Sequence, residues 1–154
     1  MIKLGIRIPL QISEGRLILT CVVRCESLRI YQPKLMNFVI DTGSPDSYLS
    51  GKDVKVLQVP LKDRISSGEV DFGGSRFKHI SIPKIKMYLL KEGKQEEYVE
   101  LDVDLKALKT IRTSERNIQV AESLPSILGM DFLRDQKLSL HVVLTEDLAY
   151  LQQE

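Results

Sequence analysis

Phe38-Val39-Ile40-Asp41-Thr42-Gly43-Ser44-Pro45 sets three apolar residues directly before an acid and a dense turn signal. The apolar run predicts a buried strand, and the carboxylate sits where that strand ends. Burial raises the cost of ionising a carboxylate, so such a corner can hold a proton whose affinity the fold tunes. Gly43 allows backbone amides to approach the acid closely, and Thr42 can lock the loop through its hydroxyl. Ser44 is expected to donate a second hydroxyl hydrogen bond to Asp41. Taken alone, Asp-Thr-Gly also reads as an ordinary turn or cap built from residues that favour such conformations.

Outward from this corner the chain reads as strands and turns. Ile2, Leu4, Ile6 and Ile8 alternate with Lys3, Gly5 and Arg7, the period of a half-buried strand. After a turn at Ser13-Glu14-Gly15, Leu17, Leu19, Cys21 and Val23 share one face of a second strand. Gly73-Gly74 punctuates two extended arms, Glu69 to Phe72 and Arg76 to Ile82. Ile85, Met87 and Leu89 alternate with charged and aromatic neighbours. A polar turn from Lys91 to Glu97 then leads into an alternating run, Tyr98 to Leu105. Helix is scarce, the best candidate being Met130 to Gln136. Leu138 to Leu144 and Leu148 to Leu151 predict a terminal hairpin turned at Thr145-Glu146-Asp147. No repeat of 20–50 residues occurs. The expectation is one mostly-β domain over residues 1–154.

Composition narrows the function classes. The 154 residues carry 22 basic and 21 acidic side chains, a formal net charge of +1. That balance lacks the single-sign field of non-specific nucleic-acid or anionic-membrane binding. No apolar run approaches the roughly 18 residues of a membrane span, and charges interrupt the first residues where a secretory leader would be continuous. Cys21 and Cys25 fall on one strand face roughly 13 Å apart, too far for a disulfide. A reducing, cytoplasmic location is the expectation. His79 and His141 lack a second ligand at a diagnostic spacing, so neither a metal nor a cofactor is expected. Glu100, Asp102 and Asp104 share a strand face, where Lys84 and Lys86 on the preceding arm would neutralise them across strands.

Three segments in order make the sequence resemble the retropepsin-like aspartic proteases. They are apolar-apolar-Asp41-Thr42-Gly43-Ser44, the glycine pair in Val70-Asp71-Phe72-Gly73-Gly74-Ser75-Arg76-Phe77, and Ser126-Ile127-Leu128-Gly129-Met130-Asp131-Phe132-Leu133. The resemblance covers about residues 1–90 and 120–154. It implies an all-β acid-protease fold, a closed barrel-like protomer with one short C-terminal helix, and an extra hairpin and connection at about residues 90–123. It further implies that Asp41 is catalytic, supported by Thr42, Gly43 and Ser44. Phe72, Gly73 and Gly74 would form a flap, and Leu128 and Gly129 a structural apolar-Gly motif. Val39 and Ile127 are candidate walls of an apolar substrate pocket. Retroviral members carry an Arg after the last glycine of that motif and an acid two positions after Asp-Thr-Gly. Met130 and Pro45 occupy those positions here, so the loop must be held another way.

Carboxylate-driven peptide hydrolysis needs two acids, one to take a proton from water and one to donate to the scissile carbonyl. The sequence contains one Asp-Thr-Gly. A two-fold axis bringing two copies of Asp41 together would complete the pair, and homodimers are what the resemblance implies. The expected partners are thus a second copy of the chain and an extended polypeptide, with no nucleic acid and no membrane. Ser44 donating to an ionised Asp41 would favour an acidic optimum. Two functional classes remain: a homodimeric aspartic endopeptidase, and a dimeric peptide-binding or assembly module of the same fold with little turnover.

Overall fold

The computed structural model describes residues 5–62, 64–93, 97–111 and 114–153. The expected contribution of Ile2 and Leu4 to the first strand lies outside these residues, as does the middle of the turn between Lys91 and Glu97. In chain order the elements are β1 (Ile6–Pro9), β2 (Gln11–Ser13), β3 (Arg16–Cys25), β4 (Ile30–Ile40), β5 (Tyr48–Leu49), α1 (Gly51–Leu57) and β6 (Gly68–Phe72). There follow β7 (Ser75–Leu90), β8 (Tyr98–Thr110), α2 (Glu115–Ser123), β9 (Ser126–Leu128), α3 (Met130–Asp135), β10 (Leu138–Val143) and β11 (Leu148–Gln153).

Eight strands run in the order β2-β3-β4-β9-β5-β8-β7-β6, and a further β3–β7 pairing closes six of them, β3, β4, β9, β5, β8 and β7, into a barrel. Closure leaves β2 and β6 as flanking strands. A separate three-stranded sheet, β1-β11-β10, covers the barrel with residues from both ends of the chain. Alternation accounts for the inward faces. Leu19, Cys21, Val23 and Cys25 of β3 are buried, as are Leu101, Val103 and Leu105 of β8.

β7 changes parity midway, because Ile82 and Ile85 are three residues apart and Ile80 and Ile82 thus fall one residue out of phase with Ile85, Met87 and Leu89. All five are nevertheless buried. A bulge absorbs the extra residue: the β7–β8 register shifts between Ile82 and Ile85, and Lys84 takes φ +54°. The arm from Arg76 to Ile82 and the alternating run Ile85 to Leu89, read separately from sequence, thus form one strand. Across it, Lys86 Nζ pairs with Glu100 at 3.0 Å as expected, while Lys84 reaches Asp104 through its backbone N–H at 3.1 Å.

Helix is more abundant than the sequence led us to expect. Beside α3, the chain forms α1 and α2, each opened by a serine cap: Ser50 Oγ accepts from the Asp53 N–H and Ser114 Oγ from the Asn117 N–H, both at 3.3 Å. α1 buries only Val54 and Leu57, too few apolar positions to announce a helical period. Cys21 and Cys25 are buried thiols, and desolvation pushes Cys21 up to about 12, so it stays protonated. No helix among the described residues is long and apolar enough to cross a membrane.

Candidate active site

Asp41 sits immediately past the end of β4, half-buried, at the point where three strands converge. β4 runs parallel to β9 in the register Phe38↔Ser126, Val39↔Ile127 and Ile40↔Leu128. β5 lies on the other side of β9, with Tyr48 opposite Ile127. The chain therefore leaves β4 at Asp41, loops around the end of β9, and returns as β5. Phe38 and Leu128, both inaccessible to solvent, hold this junction to the core.

The loop is pinned largely by backbone. The Asp41 N–H donates to the Leu128 carbonyl at 3.0 Å and the Ser44 N–H to the Asp41 carbonyl at 3.1 Å. The Gly43 N–H donates to Asp41 Oδ1 at 2.9 Å, the close amide approach that the glycine permits. Farther along, the Met130 N–H donates to the Ser44 carbonyl at 2.8 Å and the Asp131 N–H to the Pro45 carbonyl at 3.1 Å. Gly129 lies so close to the carbonyl oxygens of Ser44 and Asp46 that a Cβ there would collide with both.

One expected contact is different. The Ser44 hydroxyl donates to the Asp46 carbonyl at 2.7 Å, not to the Asp41 carboxylate. The turn curls back on itself after Pro45, and a short side chain satisfies the nearest carbonyl. The argument for an acidic optimum from the Ser44 hydroxyl therefore falls. Thr42 and Gly43 are exposed, and Val39 is half-buried beside the buried Ile127.

Sequence reading did not single out Ser47, Tyr48, Asp46, Lys106 or Asp131, which surround the loop. Ser47, 1% exposed, donates its hydroxyl to Asp131 Oδ1 at 2.6 Å and its N–H to Oδ2 at 3.2 Å. The same hydroxyl accepts the Gly129 N–H at 2.9 Å. Asp46 pairs with Lys106 at 3.3 Å and accepts from the Tyr48 hydroxyl at 3.4 Å. Burial, with Asp46 beside it, pushes the Tyr48 phenol up to about 12. These residues are ordinary in sequence, and only the strand order brings 46–48 to 106 and 131.

Phe72, Gly73 and Gly74 form the tip of the β6–β7 hairpin, with both glycines exposed at positive φ, +59° and +81°. The hairpin meets the rest of the site through aromatic packing: the Phe72 ring lies 6.1 Å from that of Tyr48, and the His79 ring 6.3 Å from it. Leu124, just before β9, packs into the same cluster and touches the Gly73 position. The His79 ring is held down in proton affinity by burial and by Lys106 nearby, with Asp46 opposing, and Ser67 Oγ lies 2.8 Å from its Nδ1. Among the described residues no three His, Cys, Asp or Glu side chains gather as a metal site.

No protein-family model matches the sequence, and no curated protein matches it significantly. Solved structures do match in shape. A crystal structure of a retropepsin-like aspartic protease from Rickettsia conorii superposes with a TM-score of 0.53 at 18% identity, covering 96% of this chain and 89% of that one. EIAV protease in complex with the inhibitor HBY-793 gives a TM-score of 0.43 at 19% identity, covering 80% of this chain and 91% of that one. The mostly-β closed barrel is the retropepsin-like fold.

Proposed function

We propose that this chain is one protomer of a homodimeric aspartic endopeptidase, with Asp41 from each copy forming the catalytic pair. The observation that carries this reading is the Asp41 corner itself. A half-buried carboxylate with one oxygen bound by the Gly43 amide sits on a loop anchored at both ends, on a fold shared with an aspartic protease. A fold alone does not fix an activity, so the reading rests on that local chemistry.

In the dimer the two carboxylates stand about 3 Å apart and share one proton, because both cannot ionise at that distance. The ionised Asp41 takes a proton from a bound water, whose oxygen attacks the peptide carbonyl carbon. The protonated Asp41 gives its proton to the carbonyl oxygen, forming a tetrahedral diol. Collapse breaks the C–N bond as a proton passes to the leaving nitrogen. The substrate lies extended, its backbone held by strand-like hydrogen bonds and its side chains in alternate pockets. Val39 and Ile127 favour apolar residues beside the cut, and the Phe72-Gly73-Gly74 hairpin closes over the peptide to exclude water. Activity is bell-shaped in pH, falling on the acid side as both carboxyls protonate and on the alkaline side as both ionise.

The test is incubation of the protein with an unfolded polypeptide from about pH 3 to 7, beside Asp41→Asn, with sedimentation of both. Cleavage lost in a folded, dimeric Asp41→Asn supports the reading. Cleavage that survives the substitution, or that comes from a monomer, overturns it. Binding without cleavage at any pH would mark a peptide-binding module instead. A profile peaking above neutrality would overturn the shared-proton detail alone.

A further inference from the structure

We propose that Asp131 is a positioning residue for the Asp41 loop, acting through Ser47 in place of the ion pair that Pro45 and Met130 cannot form. The inference rests on the endopeptidase reading for its catalytic consequence, and on geometry alone for the rest.

Every polar group of Ser47 is engaged. Its N–H and hydroxyl donate to the two oxygens of Asp131, and its hydroxyl accepts from Gly129. Its carbonyl accepts from the Lys106 N–H of β8 at 3.3 Å. The hydroxyl has one proton, and the Gly129 amide already occupies it as an acceptor. It can therefore donate only where a further acceptor stands, which is Asp131 Oδ1. The buried Ser47 thus ties the far end of the loop to β8, to α3 and to the Gly129 link between β9 and α3, and Asp131 fixes which way that knot is tied. The near end is held at Asp41 N–H and Leu128. Between these two anchors, Met130 and Asp131 amides hold the Ser44 and Pro45 carbonyls. Met130 itself contributes backbone only, with its side chain 46% exposed. A carboxylate two residues after Gly129 does, through a serine, what a charge pair would do directly.

Removing Asp131 frees the Ser47 end while leaving the catalytic carboxylate chemically intact, so the defect is one of placement. A misplacement of about 1 Å can cost on the order of 100-fold in rate. The expectation for Asp131→Ala is kcat lowered about 10- to 100-fold with KM changed far less. Ser47→Ala gives a similar loss, and the double variant is no worse than either single one, because both delete the same knot. Ser47→Thr, which keeps the hydroxyl, restores most of the rate. Asp131→Asn keeps one good acceptor and falls between, and it serves where the alanine variant does not fold.

Backbone hydrogen exchange supplies a readout independent of catalysis. In Asp131→Ala the amides of Asp41, Ser44 and Met130 should exchange at least tenfold faster, while amides in the β7–β8 pair keep their protection. Unchanged exchange at the loop overturns the proposal. So does exchange raised evenly across the molecule, with activity lost only in proportion to unfolding. If the unsubstituted protein cleaves nothing, the endopeptidase reading fails and the exchange pattern still decides whether Asp131 positions the loop.

Discussion

The seven-residue Asp41 loop and the two-residue turn of the β6–β7 hairpin are held in opposite ways. The loop from Asp41 to Ser47 is hydrogen-bonded to residues 128–131 at Asp41, Ser44, Pro45 and Ser47, with Gly129 pressed against two of its carbonyls. The hairpin tip is exposed, and it joins the rest of the site through the Phe72 and Leu124 side chains and a Ser75–Asn117 contact of 3.4 Å. Dense backbone bonding makes one conformation far cheaper than any other. A tip held by side-chain packing opens locally at small cost. On the proposed endopeptidase reading, which needs a carboxylate kept still and a long peptide admitted, the rigid part belongs at the acid and the yielding part at the hairpin.

The largest expected effect comes from breaking the rigid half. Gly129→Ala places a methyl group onto the Ser44 and Asp46 carbonyls, which are backbone and cannot swing aside. The loop or β9 must move, costing on the order of 3 kcal/mol and removing activity altogether. Thermal unfolding followed by circular dichroism checks the stability, and peptide cleavage the rest. A variant with unchanged melting temperature would show that the grip is looser than the contacts indicate.

How much of this contrast could be read from sequence follows from how local each feature is. Alternation along β3 and β8 depends on neighbours two residues apart, so those barrel strands were readable, as were α3 and the terminal hairpin, whereas β5 and β9, at two and three residues, are too short to show a period. The resemblance singled out Asp41, Leu128 and Gly129 separately, and it is the strand order that joins them at one junction. The Ser47–Asp131 knot was not readable, since it joins residues 84 apart and neither residue type is unusual. The Ser44 hydroxyl was assigned the wrong partner because two acceptors, at positions 41 and 46, both lie within three residues of it, and the turn decides between them. The β7 bulge hid a continuous strand because a single extra residue reverses the alternation. Helix α1 was missed because its evidence is one cap and two buried residues.

The yielding half is tested by Phe72→Ala. Phe72 is half-buried against Tyr48, so its loss costs stability modestly, about 1 kcal/mol, well below a core truncation. If the hairpin closes over substrate, kcat/KM falls on the order of tenfold, equivalent to about 1.4 kcal/mol of transition-state stabilisation. A large fall in melting temperature with little change in kcat/KM would reverse the comparison, making the hairpin structural.

The smallest effects come from the two titrating rings where the halves meet. Tyr48 has a folded pKa of about 12 against an ordinary 10.0, so the folded state holds more protons between those values and stability falls as pH rises through them. His79 is shifted down from 6.5, so the unfolded state holds more protons just below that value, and stability falls as pH drops through it. Tyr48→Phe should therefore flatten the alkaline loss and His79→Gln, more weakly, the acid one, as urea midpoints across pH would show. The asymmetry has a structural cause. Tyr48 is buried under the hairpin with Asp46 opposing its ionisation, whereas Lys106 and Asp46 act on His79 in opposite directions. If His79→Gln changed the acid side more than Tyr48→Phe changed the alkaline side, burial would weigh more on the His79 ring, within the hairpin's own strand β7, than on Tyr48 beneath it, and the boundary between the rigid and yielding halves would fall inside the hairpin.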